Sequence, residues 1–219
     1  MRSIPNKFRA VHRRQFRIAL SGPCGVGKST LASLLAARYR GMAVIREPQA
    51  PRDIEVSGAP SPESVERFQR LMSSWRLGQV TLNAGSRILL FDRTHEEDRD
   101  VFLQLYRRLG CIDEAQLKRL ARFSKKAEAS IGSPDGIVVL TAAPEILRQR
   151  LEQAQQQRPH WLVKHIGLQH ELYNEWIAKK RDRALVLDTA RIDAHSICTM
   201  ATRYIEGILV ESRPGSEGF

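Results

Sequence analysis

The chain has 219 residues, 42% of them hydrophobic, with 35 Lys and Arg against 24 Asp and Glu for a net charge of +11. That length and apolar share suit one generous domain with a real core, and no uninterrupted apolar run approaches the ~20 residues that a membrane-spanning helix requires. Cys24, Cys111 and Cys198 lie far apart at no metal-like spacing and read as reduced thiols of a cytoplasmic protein.

The basic excess is local. The first 46 residues hold ten Lys and Arg and no acid, so the remainder carries 25 basic against 24 acidic residues. A nucleic-acid-binding domain spreads its basic side chains over a folded face. Here they sit in an N-terminal arm (Arg2, Lys7, Arg9, Arg13, Arg14) and in the first strand–helix unit. The expectation is a flexible arm over residues 1–15, a domain over 16–210 and a loose tail over 211–219, with no specific nucleic-acid partner and no membrane. The arm, Arg-rich and acid-free, also fits organelle targeting.

The first predicted strand, Ile18-Ala19-Leu20, runs into G-x-x-x-x-G-K-S from Gly22 to Ser29. Pro23, Cys24, Gly25 and Val26 fill the variable positions, and Lys28, Ser29 and Thr30 open a helix. Glycines let backbone N–H groups approach a triphosphate, and the helix dipole favours its charge. Lys28 reaches the outer phosphates and the Ser29 hydroxyl suits Mg²⁺. The motif with both flanks predicts ATP or a related nucleoside triphosphate as ligand.

A second strand, Met42 to Ile45, delivers Arg46-Glu47-Pro48, where the proline ends regular structure and leaves Glu47 at the strand's C-terminal end. A helix is predicted over about 62–83, with an apolar stripe of Val65, Phe68, Met72 and Trp75. Gln69 and Arg76 fall on the same side, and an inward arginine needs a partner. The third strand, Arg87 to Phe91, delivers Asp92-Arg93-Thr94; an acid there can hold Mg²⁺. Thr94-x-x-Glu97 reads as a capping box. On the following helix Asp98 shares a face with Val101, Phe102, Leu105 and Leu109 and turns inward, so Arg76 and Asp98 are expected to pair. Helices over about 113–130 and 144–157 flank a fourth strand, Gly136 to Leu140. A helix over about 161–180, a fifth strand from Ala184 to Asp188 and a last helix ending near Val210 complete the chain. Alternating strands and helices predict an α/β fold with a parallel sheet covered on both faces.

Placed in this order, the motifs resemble the deoxynucleoside kinase family, which is related to the thymidylate kinases. The likeness spans about residues 16–210: the glycine loop, Glu47-Pro48, Phe68-Gln69, Asp92-Arg93-Thr94 with Glu97-Asp98, Pro134-Asp135, Pro144-Glu145, and Tyr173 with Trp176. The resemblance implies a P-loop NTPase three-layer sandwich, a five-stranded parallel sheet with a small helical lid near residues 148–161. It implies ATP- and Mg²⁺-dependent phosphoryl transfer to a deoxynucleoside 5′-hydroxyl. In its terms Glu47 is the general base, Arg93 holds that base and the phosphoryl oxygens, and Asp92 with Ser29 serves Mg²⁺. Gln69, Arg76 and Asp98 read the base, the last two as in purine- and cytosine-accepting members, and Arg150 and Arg158 are the lid arginines on ATP. Family members usually form homodimers.

Two departures stand out. The family lid carries R-x-x-R-G-R, whereas Ala154-Gln155-Gln156-Gln157 separates Arg150 from Arg158 here; the loop from Gln49 to Pro62 lacks the aromatics that usually meet the sugar. A thymidylate-type nucleoside monophosphate kinase, with Arg46 or Arg52 on the acceptor phosphate, and a catalytically weak ATP-binding module are the competing readings.

Overall fold

The computed structural model describes residues 14–48, 59–153, 163–180 and 182–211. Five strands, β1 (Phe16–Ser21), β2 (Met42–Ile45), β3 (Ile88–Asp92), β4 (Gly136–Thr141) and β5 (Ala184–Asp188), form one sheet in the order β2-β3-β1-β4-β5, and every neighbouring pair is parallel. The helices are α1 (Lys28–Arg38), α2 (Pro62–Leu82), α3, α4 (Glu114–Ile131), α5 (Pro144–Gln153), α6 (Ile166–Ala178) and α7 (Ala194–Glu211). α3 has three consecutive pieces: His95–Glu97, a π-helical turn at Asp98–Phe102, and Leu103–Arg108.

Period-two alternation along the strands builds three layers. Ile18, Leu20, Ile88, Leu90, Val138 and Leu140 face one side and pack with Leu31 and Leu35 of α1, Leu147 and Leu151 of α5, and Ile197, Ala201 and Ile205 of α7. Ala19, Ile137 and Val139 face the other, against Val65 of α2, Val101 and Leu105 of α3, Leu117 and Leu120 of α4, and Leu172 and Trp176 of α6. This is the α/β sandwich that the strand and helix order predicts.

Local chemistry sets the helix starts. Ser61, Thr94 and Asp113 cap α2, α3 and α4, each side chain accepting a backbone N–H three residues on, and Pro62 takes the first position of α2. One detail of the sequence reading is corrected. Trp75 is 41% exposed rather than buried, because the buried side of α2 turns through Val65, Gln69, Met72, Ser73 and Arg76 and leaves Trp75 at its edge. The indole N–H donates to the Arg46 carbonyl at 2.9 Å. Among the described residues no helix is long and apolar enough to cross a membrane.

Candidate functional site

The loop between β1 and α1 borders a cleft of about 550 Å³ that opens at the C-terminal ends of the strands. Gly22 has φ +136°, and a Cβ there would sit 2.3 Å from the Leu140 carbonyl oxygen, so the loop presses on β4 where only glycine fits. Gly27 has φ +102° with nothing within 4 Å of where a Cβ would stand; its need for glycine is conformational, and the space above it belongs to the cleft. Gly25, Val26, Ser29 and Thr30 also line the cleft, and the N-terminus of α1 points into it. Lys28 Nζ donates to the carbonyls of Gly22 and Pro23 at 2.7 and 3.2 Å, curled over its own loop.

Opposite the loop stand Glu47, Asp92 and Arg93. Adjacent strands bring them there, since Ile45 pairs with Phe91 in the β2–β3 register and Leu20 with Asp92 in the β1–β3 register. Arg93 N donates to the Leu20 carbonyl at 3.0 Å, one rung beyond β3, and then turns with φ +73°, a conformation that non-glycine residues seldom adopt. The turn lays its guanidinium carbon 3.5 Å over the centre of the Phe102 ring. Arg93 Nε lies 2.7 Å from Glu47 Oε1, a contact of opposite charges whose angle falls short of a hydrogen bond.

Burial pushes the Glu47 carboxyl above the usual glutamate range, with Asp92 adding to the rise and Arg93 opposing it. For Arg93 burial works against the charge, but Glu47 and the nearby Tyr173 and Glu97 more than restore it. Asp92 Oδ1 is buried without a hydrogen-bond partner. An orphaned carboxylate oxygen in the same cleft as the Ser29 hydroxyl suits a hard divalent cation, so these residues fit Mg²⁺. Among the described residues no cluster of three or more His, Cys, Asp or Glu side chains offers an alternative metal site.

Arg76 and Asp98 form a buried ion pair between α2 and the π-turn, as their inward positions predict. Both are 2% exposed, and Arg76 Nη2 and Asp98 Oδ1 have no hydrogen bond. Gln69 is buried on the same side of α2. These three lie outside the lining of the main cleft, but Arg76 is close enough to Glu47 to pull its pKa down and Asp98 close enough to Arg93 to push its pKa up. Arg150 lines the cleft and is held by Thr189, to whose hydroxyl and carbonyl it donates at 2.7 Å each. Arg158 and Arg52 lie outside the described residues, and Arg46 is exposed.

Glu97 is a further residue of this site, and its reading as half of a capping box is corrected. Thr94 Oγ1 does accept from Glu97 N at 3.2 Å, but the carboxylate turns away, accepting from Ser21 Oγ at 2.7 Å and from the Tyr173 hydroxyl. Gln169, one turn before Tyr173 on α6, accepts from Cys24 N at 3.1 Å. The signals in the sequence were the places of Glu97-Asp98 and of Tyr173 among the motifs that resemble the family.

The deoxynucleoside kinase family model matches residues 18–204, from β1 into α7 and through every residue of the cleft just described. The chain belongs to the deoxynucleoside kinase family. It is therefore a member of a family of ATP-using phosphotransferases. Among solved structures it is similar to deoxyadenosine kinase from M. mycoides with bound dCTP (TM-score 0.70, 19% identity, covering 88% of this chain and all of that one). The same enzyme with dCMP and a flexible dCDP (0.70, 20%, 88% and 100%) and with bound dATP (0.69, 20%, 87% and 100%) is similarly close. At this identity the likeness is one of fold. No curated protein sequence matches the chain significantly.

Proposed function

We propose that this deoxynucleoside kinase transfers the γ-phosphoryl group of ATP to the 5′-hydroxyl of a purine deoxynucleoside or deoxycytidine, in preference to thymidine. The contact between Glu47 and Arg93, facing the glycine loop across one cleft, carries the reading. Glu47 accepts the hydroxyl proton as the 5′-oxygen forms its bond to phosphorus and the bond from phosphorus to the bridging oxygen of ADP breaks. A carboxyl group whose pKa is raised by burial is a better proton acceptor than an ordinary glutamate.

Arg93 and Lys28 compensate the charge on the transferred group, Lys28 exchanging the loop carbonyls for phosphate oxygens. Asp92 and Ser29 would hold Mg²⁺, which when bound neutralises charge on the β- and γ-phosphates. Arg150, fixed by Thr189, flanks the nucleotide. The Arg76–Asp98 pair supports the choice of acceptor: its unfilled donor and unfilled acceptor suit the hydrogen-bonding edge of a base, and its resemblance to the pair of purine- and cytosine-accepting members favours those bases over thymine. Gln69 completes this recognition.

A panel of the four deoxynucleosides and their monophosphates, each with ATP and Mg²⁺, tests the proposal. Turnover of deoxyadenosine, deoxyguanosine or deoxycytidine at least tenfold above thymidine is expected. Turnover of monophosphates alone would replace it with a nucleotide kinase.

A further inference from the structure

Glu97 has no task in the chemistry above, yet it is wholly buried. A buried carboxylate is costly unless charge and hydrogen bonds compensate it. Four contacts converge on its two oxygens: Ser21 Oγ donates to Oε2 at 2.7 Å, Gly22 N approaches Oε1 at 3.5 Å, the Tyr173 hydroxyl donates to Oε1, and Arg93 Nε lies 4.0 Å from Oε1. Arg93 therefore stands between two carboxylates of different kinds. Glu47 is partly open to the cleft, with 26% of its side chain exposed, whereas the side chain of Glu97 is sealed.

The difference matters during transfer. To take the proton of an acceptor hydroxyl, Glu47 must turn from Arg93 toward that hydroxyl. With Glu47 as its sole counter-ion, Arg93 would then be a buried cation without compensation, free to leave the Phe102 ring. We propose that Glu97, locked by Tyr173 and Ser21, is a positioning residue that acts as the permanent counter-ion of Arg93 and holds the guanidinium in place while Glu47 changes partner. α6 enforces the arrangement from one side. Tyr173 fixes the Glu97 carboxylate while Gln169, one turn earlier, fixes the glycine loop at Cys24 N, so loop and arginine are referred to one helix. The Tyr173 ring is itself set edge-on against Phe102, the ring under Arg93, and against Trp176. The kinetic consequence rests on the transfer reaction proposed above; the structural consequence does not.

Two measurements on the full chain test this, with Glu97→Gln and Tyr173→Phe. The first is nuclear magnetic resonance of the Arg93 Nε–H in ligand-free protein, assigned with Arg93→Lys. Both variants are expected to shift this signal and to speed its exchange with solvent about tenfold or more. The second is steady-state kinetics with whichever deoxynucleoside the wild type turns over. Glu97→Gln is expected to lower kcat about tenfold to a hundredfold while KM for both substrates and the melting temperature hold. The double variant should be no slower than Glu97→Gln, since one side chain acts through the other. An Arg93 signal unchanged in both variants overturns the proposal, as does wild-type kcat in folded Glu97→Gln. If the wild type phosphorylates no nucleoside, the transfer reading fails and the Arg93 signal alone decides the positioning role. If Glu97→Gln does not fold, Tyr173→Phe, which removes a hydroxyl and keeps the ring, decides both measurements.

Discussion

Glu47 Oε1 and Arg93 Nε lie 2.7 Å apart, each residue two positions beyond the Ile45–Phe91 rung that ends the β2–β3 ladder. The end of that ladder therefore brings the proposed base and the proposed arginine to the same edge of the cleft. Replacing Glu47 by Gln keeps the shape and removes the proton acceptor. Transfer should fall by about 10²- to 10⁴-fold with the ATP dissociation constant changed less than threefold. Retained turnover alongside normal ATP binding would remove Glu47 from its proposed role.

The same residue sets a pH dependence. Burial raises the Glu47 pKa above 4.5, so its reactive, deprotonated form accumulates only as pH climbs through that raised value. The acidic limb of kcat/KM should have its midpoint above 4.5 and should vanish from the residual rate of Glu47→Gln. A limb centred at 4.5 or below would contradict the assignment.

The Arg76–Asp98 pair should be expensive to halve and cheap to replace. Both members are 2% exposed, so Asp98→Ala leaves a buried guanidinium uncompensated and should cost about 3–5 kcal/mol of stability. Arg76→Met combined with Asp98→Leu should recover most of that in urea unfolding. If the pair reads the base, the double variant should nevertheless have lost its preference among nucleosides. A stable double variant with unchanged selectivity would show the pair to be a packing element.

His95, buried beside Arg76, Asp98 and Arg99, has its pKa pulled down to about 4 by burial and by Arg76. Its Nε2 has no hydrogen-bond partner, consistent with a neutral ring. The unfolded chain takes up a proton near pH 6.5 and the folded chain only near pH 4, so stability is lost as pH falls between those values. The loss should approach about 3 kcal/mol, and His95→Asn should flatten that part of the stability profile. An unaltered slope in the variant would place the acid sensitivity elsewhere.

What could be read from the sequence, and what could not, follows from the range of each interaction. The glycine loop was legible because backbone geometry dictates its spacing, and Arg76 with Asp98 because helical periodicity turned two opposite charges inward. Glu97 was hidden by a local explanation that is half true: Thr94 does cap its N–H, but Ser21 and Tyr173, which claim its carboxylate, are each 76 residues away. The π-turn at Asp98–Phe102 was also invisible, since a 3.6-residue period presupposes its absence. Yet this turn carries both the partner of Arg76 and the ring beneath Arg93.

The amide of Arg93 donating to Leu20 makes the last rung of the β1–β3 ladder part of the site. Local fraying is ordinarily greatest at strand ends, where few neighbours hold the backbone. Here the fraying end is the one that ligand would tether through the arginine side chain. Hydrogen exchange of the Arg93 amide should therefore slow when ATP and nucleoside are both present, while amides at the opposite end of β3 stay unchanged. Occupancy of the cleft would then be recorded as the mechanical firmness of a single rung at the centre of the sheet.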